Sequence, residues 1–425
     1  IFKEKSIGEK MRRIQFTLTL LAAYILAGCG GGGSGDQAPK IKFSSQVSFG
    51  DSLSDVGTYD VGTVAAVGGG KYTINNVGTD GKNVSKNWTE LLAAQLGLTA
   101  PCAAQTGLDG LAAQGFSVPV VNHAGCTSYA QGGARVTNPV GPGNKLLGGD
   151  NATLGQLTVP VVTQIQNHLS ANGGSFKGDE IVFVMAGGND VFINLATLSA
   201  GINEAATAAV TAAVPEQITK DIASGVCVPV DAVASNCQAA AIATLSGTVG
   251  AAAASAYIQA NAAATVTAMG VAGAELAGYI NNLIVGKGAK YVAVANLPDV
   301  SITPFGLGTD TATRALISSM VTTFNAQLQL GLSGNANVLY VDAYSLSHDQ
   351  STNPSAYGLT NVTSPACDLA PAKNILSVSL TCTKNNLLPG SVENYAFADT
   401  VHPTPYAQSL FARFVSKALA SKGWL

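Results

Sequence analysis

Ile181-Val182-Phe183-Val184-Met185-Ala186 is an unbroken apolar run that stops at Gly187-Gly188-Asn189-Asp190. A strand with one face in water alternates apolar and polar side chains. A run without alternation therefore predicts a strand buried on both faces, as in a parallel sheet covered by helices. Tyr291–Ala295 before Asn296-Leu297-Pro298-Asp299, and Val338–Val341 before Asp342, repeat this organisation. Upstream, residues 41–49 form a β-rich run that enters Gly50-Asp51-Ser52-Leu53. Open α/β sheets collect their ligands beyond the carboxyl ends of the strands, so these polar clusters are the first places to look for a site.

The intervening segments supply the covering layers. Trp88, Leu91, Leu92 and Leu96 recur at helical spacing until Gly97, and Tyr406, Leu410, Phe411 and Phe414 mark a terminal helix. Residues 204–280 are rich in alanine, the best helix former, and predict two or more packed helices. Glu204, Glu216, Lys220 and Asp221 interrupt the early part, and no fixed period runs through it, so a soluble helical insertion or lid is expected rather than a membrane span or a repeat array. Residues 344–395, rich in Asn, Ser, Pro and Gly, are expected to make a long surface excursion.

Composition narrows the function classes. With 47% hydrophobic and 11% charged residues the chain is not wholly disordered. Its formal charge of -3 and lack of a dense basic tract exclude a nucleic-acid backbone as the expected partner.

Residues 1–28 contain Met11, Arg12 and Arg13 followed by a short apolar run, which reads as an export signal preceded by ten upstream residues. Leu26-Ala27-Gly28-Cys29 resembles the cleavage site of bacterial lipoprotein signals. The resemblance implies lipidation at Cys29, a flexible Gly-rich tether over residues 29–39, and attachment to outer-membrane lipid, on the periplasmic or extracellular face, with the folded domain over residues 40–425. The other cysteines, Cys102, Cys126, Cys227, Cys237, Cys367 and Cys382, form an even set suited to an oxidising compartment. Six cysteines allow fifteen pairings. Short separations favour Cys102–Cys126, Cys227–Cys237 and Cys367–Cys382, without excluding the others.

Acyl transfer to water needs a nucleophile, a base, an acceptor that orients the base, and donors for a tetrahedral oxyanion. Ser52, His402 and Asp399 are candidates for the first three, because a turn over Asp399-Thr400-Val401-His402 can bring the carboxylate to one imidazole nitrogen while the other faces Ser52. Four blocks then occur in order: Phe49-Gly50-Asp51-Ser52-Leu53-Ser54-Asp55-Val56-Gly57, Ser128-Tyr129-Ala130-Gln131-Gly132-Gly133-Ala134, Gly187-Gly188-Asn189-Asp190, and Asp399-Thr400-Val401-His402. Together they resemble the GDSL esterase and lipase family, also called SGNH hydrolases.

The resemblance implies a three-layer flavodoxin-like α/β fold around a parallel sheet, carrying the Ala-rich segment as an insertion. It also implies catalytic Ser52, His402 and Asp399, with an oxyanion held by the N–H groups of Ser52 and Gly133 and the amide of Asn189. Ser128 stands where the family often has asparagine, which leaves the choice between Gly132 and Gly133 open. Ester substrates are implied, with lipids, short acyl esters and ester polymers all admissible. Carbohydrate O-deacetylation and a noncatalytic binding lipoprotein are the alternatives. No metal or other cofactor is expected: metal-ligand spacings and nucleotide fingerprints are absent, and Gly68-Gly69-Gly70-Lys71 reads as an ordinary loop because Tyr72 replaces a phosphate-loop hydroxyl residue. His123, His168 and His348 are expected to be noncatalytic.

Overall fold

The computed structural model describes residues 41–227 and 234–425. The export segment, Cys29 and the tether lie outside the described residues. So do residues 228–233, within the proposed Cys227–Cys237 connection. Within the unit Lys42–Leu425, the central sheet contains β1 (Gln46–Gly50), β2 (Ile181–Met185), β3 (Tyr291–Ala295) and β4 (Val338–Val341), adjacent in that order and all parallel. Outside β1, Ser128 makes a parallel bridge to Ser48. Thr127–Tyr129 thus lies beside the first strand while preceding the second in sequence, and Ala103 bridges its other side. The first strand begins later than the β-rich run over residues 41–49. Its ladder begins at Gln46 because its partner begins at Ile181; before that, the Ser44 hydroxyl and N–H are already spent on Asp179.

Helices of eight residues or more are α1 (Trp88–Gln95), α2 (Val161–Ala171), α3 (Gly188–Ala223), α4 (Ala234–Leu245), α5 (Ala251–Tyr279), α6 (Thr311–Leu332), α7 (Ala343–Thr352) and α8 (Pro405–Lys422). The unbroken apolar runs divide between two faces, as their period of two requires. Val47, Phe49, Val182, Val184, Val292 and Val294 face one side and join Ile165 of α2, Leu276 of α5 and Phe324 of α6 in one core. On the other side the Phe183 ring lies 5.1 Å from Trp88 of α1, which lies 5.1 Å from Phe411 of α8. Burying each such side chain contributes about 1.5–3 kcal/mol, so both faces hold the sheet closed to water. The result is a helix–sheet–helix α/β architecture.

The Ala-rich region starts earlier than expected. α3 begins at Gly188, directly at the polar cluster after β2, and not near residue 204. It runs alongside α5, which follows α4 and a π-helical turn at Ser246–Gly250. Small residues allow these helices to approach closely: a Cβ on Gly273 of α5 would lie 2.4 Å from the Phe324 carbonyl of α6. Asn236–Lys287 is long and apolar enough to cross a membrane by length and composition alone; its later part packs into the core through Met269, Leu276 and Ile280.

Residues 344–395 are not simply a surface excursion. They contain most of α7 and a strand, Asn361–Pro365, that pairs in parallel with Tyr395–Phe397. Asn374, Ser379, Leu380 and Cys382 are buried. The cause is a long-range clamp: the Asn75 amide donates to the carbonyls of Ser379 and Cys382 at 3.0 and 2.9 Å, and the Gly70 N–H donates to Leu380 at 2.9 Å. Disulfides join Cys102 to Cys126, Cys227 to Cys237 and Cys367 to Cys382, with Cα separations of 5.0, 5.5 and 6.1 Å.

Candidate active site

The nucleophile block turns sharply where β1 ends. Gly50 has φ 151°, and a Cβ there would lie 2.1 Å from the Met185 carbonyl, so the turn requires glycine. Gln164 of α2 fixes this residue from both sides, accepting from the Gly50 N–H at 2.9 Å and donating to its carbonyl at 2.8 Å. Beyond it, the Asp51 carboxylate accepts from the Leu53 N–H at 3.0 Å, shaping the turn that carries Ser52.

Ser52 Oγ lies 2.9 Å from His402 Nε2, across 350 residues of chain. His402 Nδ1 lies 2.7 Å from Asp399 Oδ2. The spacing of three works because Asp399 also organises its own turn, accepting from the Val401 and His402 N–H groups at 2.9 and 2.7 Å. A further donor, the Ser379 N–H at 2.7 Å, comes from the buried part of residues 344–395. Burial alone would raise the Asp399 carboxyl, but the His402 charge and these hydrogen bonds outweigh it and hold the group well below the usual carboxylate range.

Gly133 and Asn189 line the same cleft as Ser52 and His402, an opening of about 590 Å³. The choice between the two glycines follows from their donors. The Gly132 N–H donates to Asp55 at 2.9 Å, whereas no acceptor for the Gly133 N–H or the Ser52 N–H is found among the described residues. Gly133 has φ 77°, and a Cβ there would lie 2.2 Å from the Pro142 carbonyl. Asn189 donates through Nδ2 to the Ala134 carbonyl at 2.8 Å; an amide nitrogen carries two hydrogens, so a second remains.

Several supporting residues escaped the sequence reading. Asp55 accepts from Gly57, Thr58 and Gly132 and so ties the nucleophile block to the glycine block. Asp190 accepts from Arg135 Nε at 2.8 Å and the Val136 N–H at 3.0 Å, anchoring the start of α3 to the same glycine loop. The segment carrying Tyr72 is a loop, as expected, but one that borders the site: the Tyr72 ring centroid is 4.8 Å from that of His402, and its hydroxyl accepts from Gln156. A Cβ on Gly132 would strike that hydroxyl at 2.0 Å. The available signal was the glycine run placing an aromatic residue on a tightly held loop; Lys71 beside it is buried against Glu90 at 2.6 Å.

The other histidines lie apart from this cleft. His123 Nε2 contacts Thr106 Oγ1 at 2.8 Å. His168 is packed against Phe176, and burial pushes its imidazole down to about 4. His348 Nε2 lies 2.7 Å from Asp299 Oδ2. Among the described residues, no three His, Cys, Asp or Glu side chains gather as a metal site.

Residues 243–415 match the family model described as GDSL-like Lipase/Acylhydrolase. A GDSL esterase/lipase of Arabidopsis thaliana is 35% identical over 83 residues, which cover 20% of this chain and 22% of the relative. The chain thus aligns with less than a quarter of that relative's length. The family match contains Asp399 and His402 but stops short of Ser52 and Asn189; those two meet the matched part through the folded geometry described above.

Proposed function

We propose that this chain, which carries a GDSL lipase/acylhydrolase domain over residues 243–415, is an exported serine carboxylic-ester hydrolase working through an acyl-enzyme. The observation that carries the reading is the continuous contact from Ser52 Oγ through His402 to Asp399, at 2.9 and 2.7 Å. As Ser52 attacks the acyl carbon, His402 Nε2 takes its proton, and Asp399 holds the opposite Nδ1–H and stabilises the imidazolium. The carbonyl oxygen becomes an oxyanion facing the N–H groups of Ser52 and Gly133 and the remaining Asn189 N–H. The C–O bond to the alcohol then breaks, and the alcohol leaves with the proton from His402. A water activated by the same nitrogen attacks the acyl-enzyme, releases the acid and restores Ser52. The lipoprotein-like sequence at Leu26–Cys29 supports attachment to outer-membrane lipid through Cys29. The Ala-rich helices are read as an insertion that borders the cleft through Asn189 and Phe192 of α3.

The test is a panel of short and long acyl esters, acetylated sugars and phospholipids offered to the wild-type chain and to Ser52→Ala. Ester turnover that disappears in Ser52→Ala, with a trapped acyl group on the wild-type serine, is expected. Turnover confined to acetylated sugars would narrow the enzyme to O-deacetylation. A folded wild-type chain that cleaves nothing would favour a binding lipoprotein.

A further inference from the structure

Two differently built cavities meet at Ser52. The cleft described above is broad and carries polar walls from Asp150, Asn151 and Gln156. Ser52 also borders a waist of about 50 Å³, walled by Leu297, Pro298, Thr303 and Val401. Leu53, Pro298, Thr303 and Val401 form a wall of this waist and also of a second chamber, of about 130 Å³, on the α1 and α8 side of the sheet. That chamber is lined mostly by apolar side chains, Trp88, Ala343, Leu346 and Phe411 among them, with Gln350 and Ser351 also on its wall.

The chamber's lining is mostly apolar, and two of the polar groups beside it are turned toward other partners. Trp88 Nε1 donates to Ser54 at 3.2 Å, so the indole offers the chamber its carbon face. Asp299 accepts from the Ser301 N–H at 2.8 Å and has His348 Nε2 2.7 Å from its other oxygen. An apolar cavity of this kind gains from an apolar occupant.

Resting on the ester-hydrolase reading, we propose that the chamber is the acyl pocket and that the chain prefers medium-length acyl groups on a polar alcohol. The acyl chain would pass from Ser52 between Leu53, Pro298, Thr303 and Val401 into the chamber, while the alcohol occupies the polar cleft and leaves that way. A cavity of about 150 Å³ holds a six-carbon benzene ring. Chamber and waist together therefore fit a chain of about six to eight carbons. A sixteen-carbon chain exceeds this room.

Hydrolysis of p-nitrophenyl acetate, octanoate and palmitate by the full chain tests this. The wild-type kcat/KM is expected to be highest for octanoate. Two variants fill the chamber from different sides: Ala343→Phe at its floor, and Val362→Trp from the half-buried strand Asn361–Pro365 at its wall. Each is expected to lower the octanoate-to-acetate ratio of kcat/KM at least about tenfold, the size of effect expected when a few methylene contacts are lost. Val362→Trp keeps the test open should Ala343→Phe not fold, since Val362 lies outside the main core. A ratio within twofold of wild type in a folded filled variant overturns the acyl pocket while leaving the hydrolase reading intact. A wild-type preference for palmitate overturns it as well. Failure of the wild type to cleave even acetate would instead strike the hydrolase reading, and the pocket with it.

Discussion

The turn after β1 and the loop before α8 each present one carboxylate to the Ser52–His402 pair, and the two carboxylates are equally buried, Asp51 and Asp399 both being 2% exposed. Their proton affinities diverge all the same. Burial raises Asp51 to about 7, with the Asp190 charge adding to the effect and the Leu53 N–H and His402 only partly opposing it. Asp399 receives three backbone N–H groups besides His402 and stays far below the ordinary range. Desolvation pushes any buried acid toward its neutral form; what keeps one ionised is the opposite charge and the donors folded around it. The Asp399 anion is thus held against burial by the His402 charge and by the donors of its own loop and of Ser379.

Breaking the donor-rich side should have the largest effect. Asp399→Asn keeps the shape but offers an amide N–H toward His402 Nδ1, which favours the tautomer with hydrogen on Nε2. That nitrogen can then no longer accept from Ser52. A fall in kcat of about 10⁴-fold is expected for an ester cleaved by the wild type. A fall of less than tenfold in steady-state assays would remove Asp399 from the proposed relay.

Asn189→Ala comes next. Its amide gives one hydrogen to Ala134, and the second is the one proposed for the oxyanion. Loss of the second should lower kcat by about 10²–10³-fold, about 3–4 kcal/mol in the transition state. KM should change little, since the donor acts chiefly when negative charge develops. A variant that raises KM but retains kcat would mean that Asn189 binds ground-state substrate and not the oxyanion.

Much of this comparison can be read along the chain, and some of it only across it. Ser52, Asn189, Asp399 and His402 follow from strand ends and short turns, where chemistry demands particular residue types at fixed spacing. Gly132 and Gly133 are indistinguishable until Asp55 is known to consume one of their N–H groups. Ser379 carries no local signature, because it is brought to Asp399 by a segment clamped from far away, through Asn75, and Tyr72 meets His402 only across the fold. The helix start at Gly188 was hidden for a different reason. Alanine content marks where helix is most favourable, whereas the helix begins about four turns before the Ala-rich segment, at the polar cluster whose Asp190 is held by Arg135. Residues 344–395 look like solvent-exposed loop by composition, yet their asparagines and serines spend their polar groups on buried backbone, as Asn374 does with Val378.

The smallest effect, and the sharpest test of the comparison, comes from Asp51→Asn. The amide oxygen preserves acceptance from the Leu53 N–H, and the site remains neutral, so turnover at low pH should change by only a few-fold. The pH dependence of stability should change more. An acid whose folded pKa is raised from 3.8 to about 7 favours the folded state fully below the unfolded value and loses that contribution as pH rises toward 7. Asp399 has the opposite sign: its stabilisation is present above the unfolded value and is lost as pH falls through the depressed folded one. The two windows lie on either side of about pH 4. In urea melts, Asp51 should therefore contribute a decline from about pH 4 to 7, by a few kcal/mol at most, beneath an opposite rise from His168, whose buried imidazole is held down to about 4. Asp51→Asn should remove that contribution and leave acid unfolding below pH 4 in place. An unchanged slope between pH 4 and 7 would mean that Asp51 is ionised throughout, and that burial without donors does not separate the two carboxylates after all.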